Sequence, residues 1–161
     1  MSDTVRFERS HDILIAAPPA AVLDYVSNPN SWPEWMPASH HIDSPDRPLQ
    51  PGEGFTERWG TSRGEVRLDW RVTERDHPHR WVARAETDFL GPIVARYTVE
   101  EVAGGSRYTR TILNPARPKA PTPAIVQRVD DEAAVCLANI KNAVERRAAA
   151  GSRAAETDVG R

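Results

Sequence analysis

The chain has 161 residues, 39% of them hydrophobic, which is enough for one domain with a core of its own. Lys+Arg number 21 against 23 Asp+Glu, a net charge of -2, so charge gives no ground for nucleic acid or an anionic membrane as the main partner. The single cysteine, Cys136, excludes an intramolecular disulfide and fits a cytoplasmic setting; no N-terminal run reads as a signal peptide, and no stretch approaches the roughly 20 apolar residues of a stable membrane insertion.

In chain order, residues 5–17 read as a strand. Phe7, Ile13 and Ile15 share one parity and Arg6, Glu8 and Asp12 the other, the alternation of a half-buried strand. His11 falls on the apolar parity. Pro18 and Pro19 suit the first turn of a short helix whose Val22, Tyr25 and Val26 make one face, and Asn28-Pro29 stops it. "NSWPEWMP", residues 30–37, follows as a second short helix or helical turn. Residues 38–43 read as a weak strand and "SPDRPLQPGEG" as a loop.

Stronger strands come next: "FTERW", "EVRLDWRVTER", "RWVARAET" and "GPIVARYTVEEV", then "SRYTRTIL" after a hairpin at Gly104-Gly105. "NPARPKAPTP" reads as an irregular linker. Thr122 as N-cap and Pro123 at the first position open a long helix to about Ala149, with Ile125, Val129, Ala133, Cys136, Ile140 and Val144 as its apolar stripe. Residues 1–149 are thus expected to form a single domain, and residues 150–161, with little to bury, a disordered tail. Consecutive strands joined by tight turns imply an antiparallel sheet, and the long helix is the one large cover for its apolar face.

"ILIAAPPAAVLDYVSNPNSWPEWMP", "PGEGF" at 51–55, the "GGSRYTR" hairpin and the terminal helix together carry a resemblance. Over about residues 5 to 148 the chain resembles the START-like (SRPBCC, helix-grip) superfamily, in its polyketide cyclase/dehydrase and lipid-transport-like branch. The resemblance implies an α+β helix-grip fold: a curved antiparallel sheet of six to seven strands wrapped around the C-terminal helix, with two short helices after the first strand. It also implies an internal cavity for a small hydrophobic ligand, aromatic, polyketide-like or lipid-like.

Parity then nominates the residues facing inward: His11, Ile13 and Ile15; Phe55, Glu57 and Trp59; Val66, Leu68, Trp70 and Val72; Trp81, Ala83 and Ala85; Ile93, Ala95, Tyr97 and Val99. A two-residue Gly104-Gly105 hairpin sets Val99 opposite Arg110 and Tyr97 opposite Ile112, and turns Tyr108, Arg110 and Ile112 inward as well; a three-residue loop would invert that strand. Glu57 and Arg110 form a natural inward pair, because a buried charge is costly unless matched. His11 is a candidate acid or base, giving a candidate catalytic set of His11, Glu57 and Arg110. Phe55, Trp59, Trp70, Trp81, Tyr97 and Tyr108 are candidate ligand-binding walls, with Trp35 at the cavity end.

Each has a plainer reading. The Glu–Arg pair serves equally as a structural bridge, His11 as a hydrogen-bonded core histidine, the tryptophans as filled core, and "NSWPEWMP" as the plug that closes the grip. His40-His41 and His77/His79 lack a third ligand at metal-binding spacing, so no metal or cofactor is expected. Three functions stay in view: a carrier of a hydrophobic ligand; a cofactor-independent cyclase, aromatase or dehydratase using His11 as acid/base, with Arg110 and Tyr97 stabilising an enolate; and a non-catalytic interaction domain with a filled cavity. The oligomeric state is open, a homodimer included.

Overall fold

The computed structural model describes residues 3–37, 40–62 and 64–159, with 152–159 as backbone only. Seven strands form one antiparallel sheet in the order β1-β7-β6-β5-β4-β3-β2. They are β1 Val5–Ile15, β2 His40–Asp43, β3 Gly54–Thr61, β4 Gly64–Asp76, β5 Arg80–Thr87, β6 Gly91–Val102 and β7 Gly105–Arg117. Between β1 and β2 lie α1 Pro19–Val26, a 3-10 turn Pro29–Ser31 and α2 Trp32–Trp35; α3 Pro123–Val159 closes the chain. This is the α+β helix-grip architecture expected from the sequence. No helix among the described residues is long and apolar enough to cross a membrane.

Alternation decides which face each strand buries. In β4 the side chains of Leu68, Trp70 and Val72 are buried while Arg67, Asp69 and Arg71 are exposed. α1 buries Val22, Leu23, Tyr25 and Val26 against the core. α3 begins as its sequence dictates: Thr122 Oγ1 accepts the Ile125 N–H at 3.2 Å, satisfying one of the free donors of the first turn. Its buried stripe is Ala133, Cys136, Leu137, Ile140, Ala143 and Val144.

Three local expectations are corrected. The β6–β7 hairpin turns at Ala103-Gly104, so Val99 faces Tyr108 and Tyr97 faces Arg110, not Arg110 and Ile112. The slip is even in register, so Tyr108, Arg110 and Ile112 keep their inward parity. Gly105 is needed beside the turn because a Cβ there would collide with the backbone of Ile15. Second, β7 continues through Pro115 to Arg117 instead of ending at a linker. Its pairing with β6 ends at Val94–Leu113 while pairing with β1 goes on to Val5–Arg117 across a bulge, a place where a proline is tolerated. Third, α3 runs to Val159, past the end expected near Ala149. Alanine, arginine and glutamate are good helix formers, and Gly151 alone does not break the helix.

Trp32 is the hub of the core. Its ring lies 5.1 Å from Phe55, 5.7 Å from Trp70 and 6.3 Å from Tyr97, each edge to face, and 6.0 Å from Trp35. Every buried indole N–H has an acceptor: Val26 O for Trp32, Ser31 Oγ for Trp35, Glu57 Oε1 for Trp70 and Leu49 O for Trp81. Rings of this size dominate a core only when their polar end is satisfied.

Candidate functional site

Side chains from both layers leave a cavity of about 240 Å³ between sheet and helix. Trp70 of β4, Ile93, Ala95 and Tyr97 of β6, Arg110 and Ile112 of β7 and Glu57 of β3 form its sheet side. α3 contributes Val129, Glu132 and Cys136, while Trp32, Met36 and Pro37 close one end. The wall is mainly apolar with a few convergent polar groups, the usual composition of a small-molecule site.

The polar groups are unusually bare. Arg110 Nε, Tyr97 Oη and Tyr108 Oη are buried with no hydrogen-bond partner among the described residues. The Arg110 guanidinium sits 5.7 Å from the Trp35 ring, a cation–π contact. Burial opposes its charge, but a guanidinium does not give up its proton in a protein, and the group stays cationic. Burial pushes both phenols well above their ordinary range, so each is a neutral donor.

Glu57 is buried, at 6% exposure, and is not ion-paired with Arg110. Its Oε1 accepts the Trp70 indole N–H at 3.0 Å, and its Oε2 lies 3.7 Å from His40 Nε2. Burial raises the Glu57 carboxyl, against the pull of the Trp70 hydrogen bond and of His40 and Arg110. A buried carboxyl with a raised pKa facing a cavity is equipped to give or take a proton.

Of the residues nominated from sequence, Glu57, Arg110, Trp70 and Tyr97 meet at this cavity. Phe55 stacks behind Trp70 at 6.1 Å, Trp81 stacks on Tyr97 at 5.3 Å, and Tyr108 packs against Tyr97 at 5.9 Å; these three are core behind the wall. Trp35 is fully buried beside Arg110, and Trp59 is partly buried on β3 opposite His40. His11 stands apart. Its Nε2 donates to Asp130 Oδ1 at 2.8 Å, and Arg9 grips the same carboxylate through Nε and Nη2 at 2.9 and 2.7 Å. This triad joins β1 to α3 and does not line the cavity.

Sequence reasoning missed Trp32 as a wall, Glu132 at the cavity and His40 beside Glu57. Glu132 had a signal, since it lies three residues after Val129 and four before Cys136 on one helical face. His40 had none: its neighbour is decided by the β2–β3 register, which places it opposite Trp59, diagonal to Glu57.

A profile of the family described as "Polyketide cyclase / dehydrase and lipid transport" matches residues 4–145. Solved structures with the same fold include protein CV1439 from Chromobacterium violaceum, 17% identical over 89% of this chain and 98% of that one, with a TM-score of 0.65. The di-domain ARO/CYC StfQ from the steffimycin biosynthetic pathway is 13% identical over 90% of this chain and 52% of its own, with a TM-score of 0.68. The Aha1 dimer from Colwellia psychrerythraea is 16% identical over 86% and 96%, with a TM-score of 0.63. At these identities the likeness is one of fold. No curated protein matches the chain.

Proposed function

Because this chain belongs to the polyketide cyclase/dehydrase and lipid-transport family, we propose that it binds a small hydrophobic ligand of aromatic, polyketide-like or lipid-like character in the cavity under α3. The observation that carries the reading is the pairing of an apolar cavity of about 240 Å³ with unpartnered polar atoms on Arg110 and Tyr97 at its wall. A cavity of roughly 150 Å³ suffices for benzene, so this one suits a body of one to two rings. Trp32 and Trp70 offer it flat walls, while Arg110 and Tyr97 take a polar end.

Isothermal titration calorimetry with one- and two-ring aromatics tests it. Binding heat and a rise in Tm are expected for the native chain, and both are expected to vanish in Ala95→Leu, which fills the cavity with apolar volume. A panel in which no member raises the Tm of the native chain overturns the reading.

One observation favours a second, catalytic reading as a cyclase, aromatase or dehydratase. A carboxyl raised by burial, a guanidinium and a phenol face one cavity, a set able to move a proton and to stabilise an enolate oxygen. In this reading Glu57 takes the acid/base role in place of His11, whose imidazole is held by Asp130 outside the cavity. Turnover of a poly-β-ketone thioester would then fall by about 10²–10⁴-fold in Glu57→Gln, the usual worth of a positioned acid or base. Undiminished turnover in that variant sinks this reading.

A further inference from the structure

Arg110 brings a fixed positive charge to the cavity wall, and its surroundings supply no charge paired with it. On β3, Glu57 gives one oxygen to Trp70 and turns the other toward His40. On β6 and β7, Tyr97 and Tyr108 present neutral phenols. On α3, burial keeps Cys136 a thiol, Glu132 is an exposed residue at the cavity, and Asp130 is taken by Arg9 and His11. On β1, His11 is the register partner of Arg110 but is bonded to Asp130. On α2, Trp35 offers only its ring face.

A buried cation without a matched anion is costly, and a guanidinium cannot shed its proton to escape the cost. Beside it, the Tyr97 hydroxyl is a second buried donor with nothing to donate to. Two unused donors around one cation, next to flat apolar walls, describe a receptor for an anionic oxygen on a planar body.

We propose that the occupant of this cavity is a planar weak acid bound as its monoanion, with its carboxylate or phenolate oxygen held by Arg110 and Tyr97. The inference rests on the ligand-binding reading above and adds the charge of the ligand. Glu57 tunes it. Its protonated carboxyl leaves Arg110 to the ligand, and its ionised carboxylate repels the ligand and competes for the same cation. Affinity for the anion therefore falls as pH rises through the Glu57 titration, while affinity for a neutral analogue stays flat.

The test uses 2-naphthoate and 2-naphthamide, which share shape and differ in charge, titrated into the full chain by calorimetry. At neutral pH the carboxylate is expected to bind at least tenfold more tightly than the amide. Arg110→Met is expected to remove that ratio, the carboxylate losing at least tenfold more affinity than the amide. Should Arg110→Met fail to fold, the native chain and Glu57→Gln decide the matter. The naphthoate affinity of the native chain should decline with rising pH, and that of Glu57→Gln should not. Amide binding as tight as carboxylate binding overturns the charge assignment and leaves the cavity reading standing. Failure of both probes, and of naphthalene with them, overturns both.

Discussion

Glu57 is a residue whose two duties conflict. Its carboxylate accepts the Trp70 indole, which ties β3 to β4, yet its burial disfavours the charged form. With the folded pKa raised, the folded chain holds a proton that the unfolded chain has released, so stability falls as pH climbs from the ordinary carboxylate range through the folded value. Glu57→Gln keeps an acceptor for Trp70 and removes the titration. Its Tm relative to the native chain is expected to rise with pH, and a difference that is constant from pH 4 to pH 9 contradicts this. Asp130 has the opposite sign. Hydrogen bonds from Arg9 and then His11 hold its carboxyl below its usual range, so its contribution is present at neutral pH and lost as pH falls through the folded value. Asp130→Asn should lower Tm at pH 7, with the deficit closing on acidification; a deficit unchanged at low pH would show that the residue acts through packing alone. At Trp32 the issue is volume. Trp32→Ala removes the ring that five others abut, and should cost about 3–5 kcal/mol in urea unfolding.

At the scale of elements, the sequence was readable wherever a side-chain period was enforced by burial. The odd positions of β1 and the even positions of β4 announced their faces because each strand has one wet side. The β6–β7 register was not readable, since Ala103-Gly104 and Gly104-Gly105 are both acceptable turns and differ by an even slip that leaves every face unchanged. The inward roster was also larger than the cavity. Parity could not tell Trp70, which lines the cavity, from Phe55 and Trp81, which stack behind it. That choice is made by Trp32, which arrives from α2 and is placed by a helical turn that strand patterns do not describe. The sites of α3 divide in the same way. Among its described side chains the buried ones end at Val144, with Ala148 the last partly buried one against the core. A chain stopped after Gly151 keeps all of these residues and is accordingly expected to keep the native Tm within about 1 °C. A larger loss would mean that the distal turns pack on something essential.

For the whole molecule, a cavity between sheet and helix links ligand affinity to global stability. A ligand that binds only the folded chain adds about 2.7 kcal/mol at a hundredfold excess over Kd, or roughly 5–10 °C in Tm for a domain of this size. Differential scanning calorimetry with the tightest probe should show that rise in the native chain. The placement of the indoles carries one more consequence. Trp32 lies 6.0, 5.7 and 6.4 Å from Trp35, Trp70 and Trp81, close enough for excitation absorbed by one ring to migrate to the others. Two members of that network, Trp32 and Trp70, also wall the cavity. An occupant that accepts excited-state energy there drains emission from all four rings together, so the core doubles as an optical gauge of whether the cavity is filled.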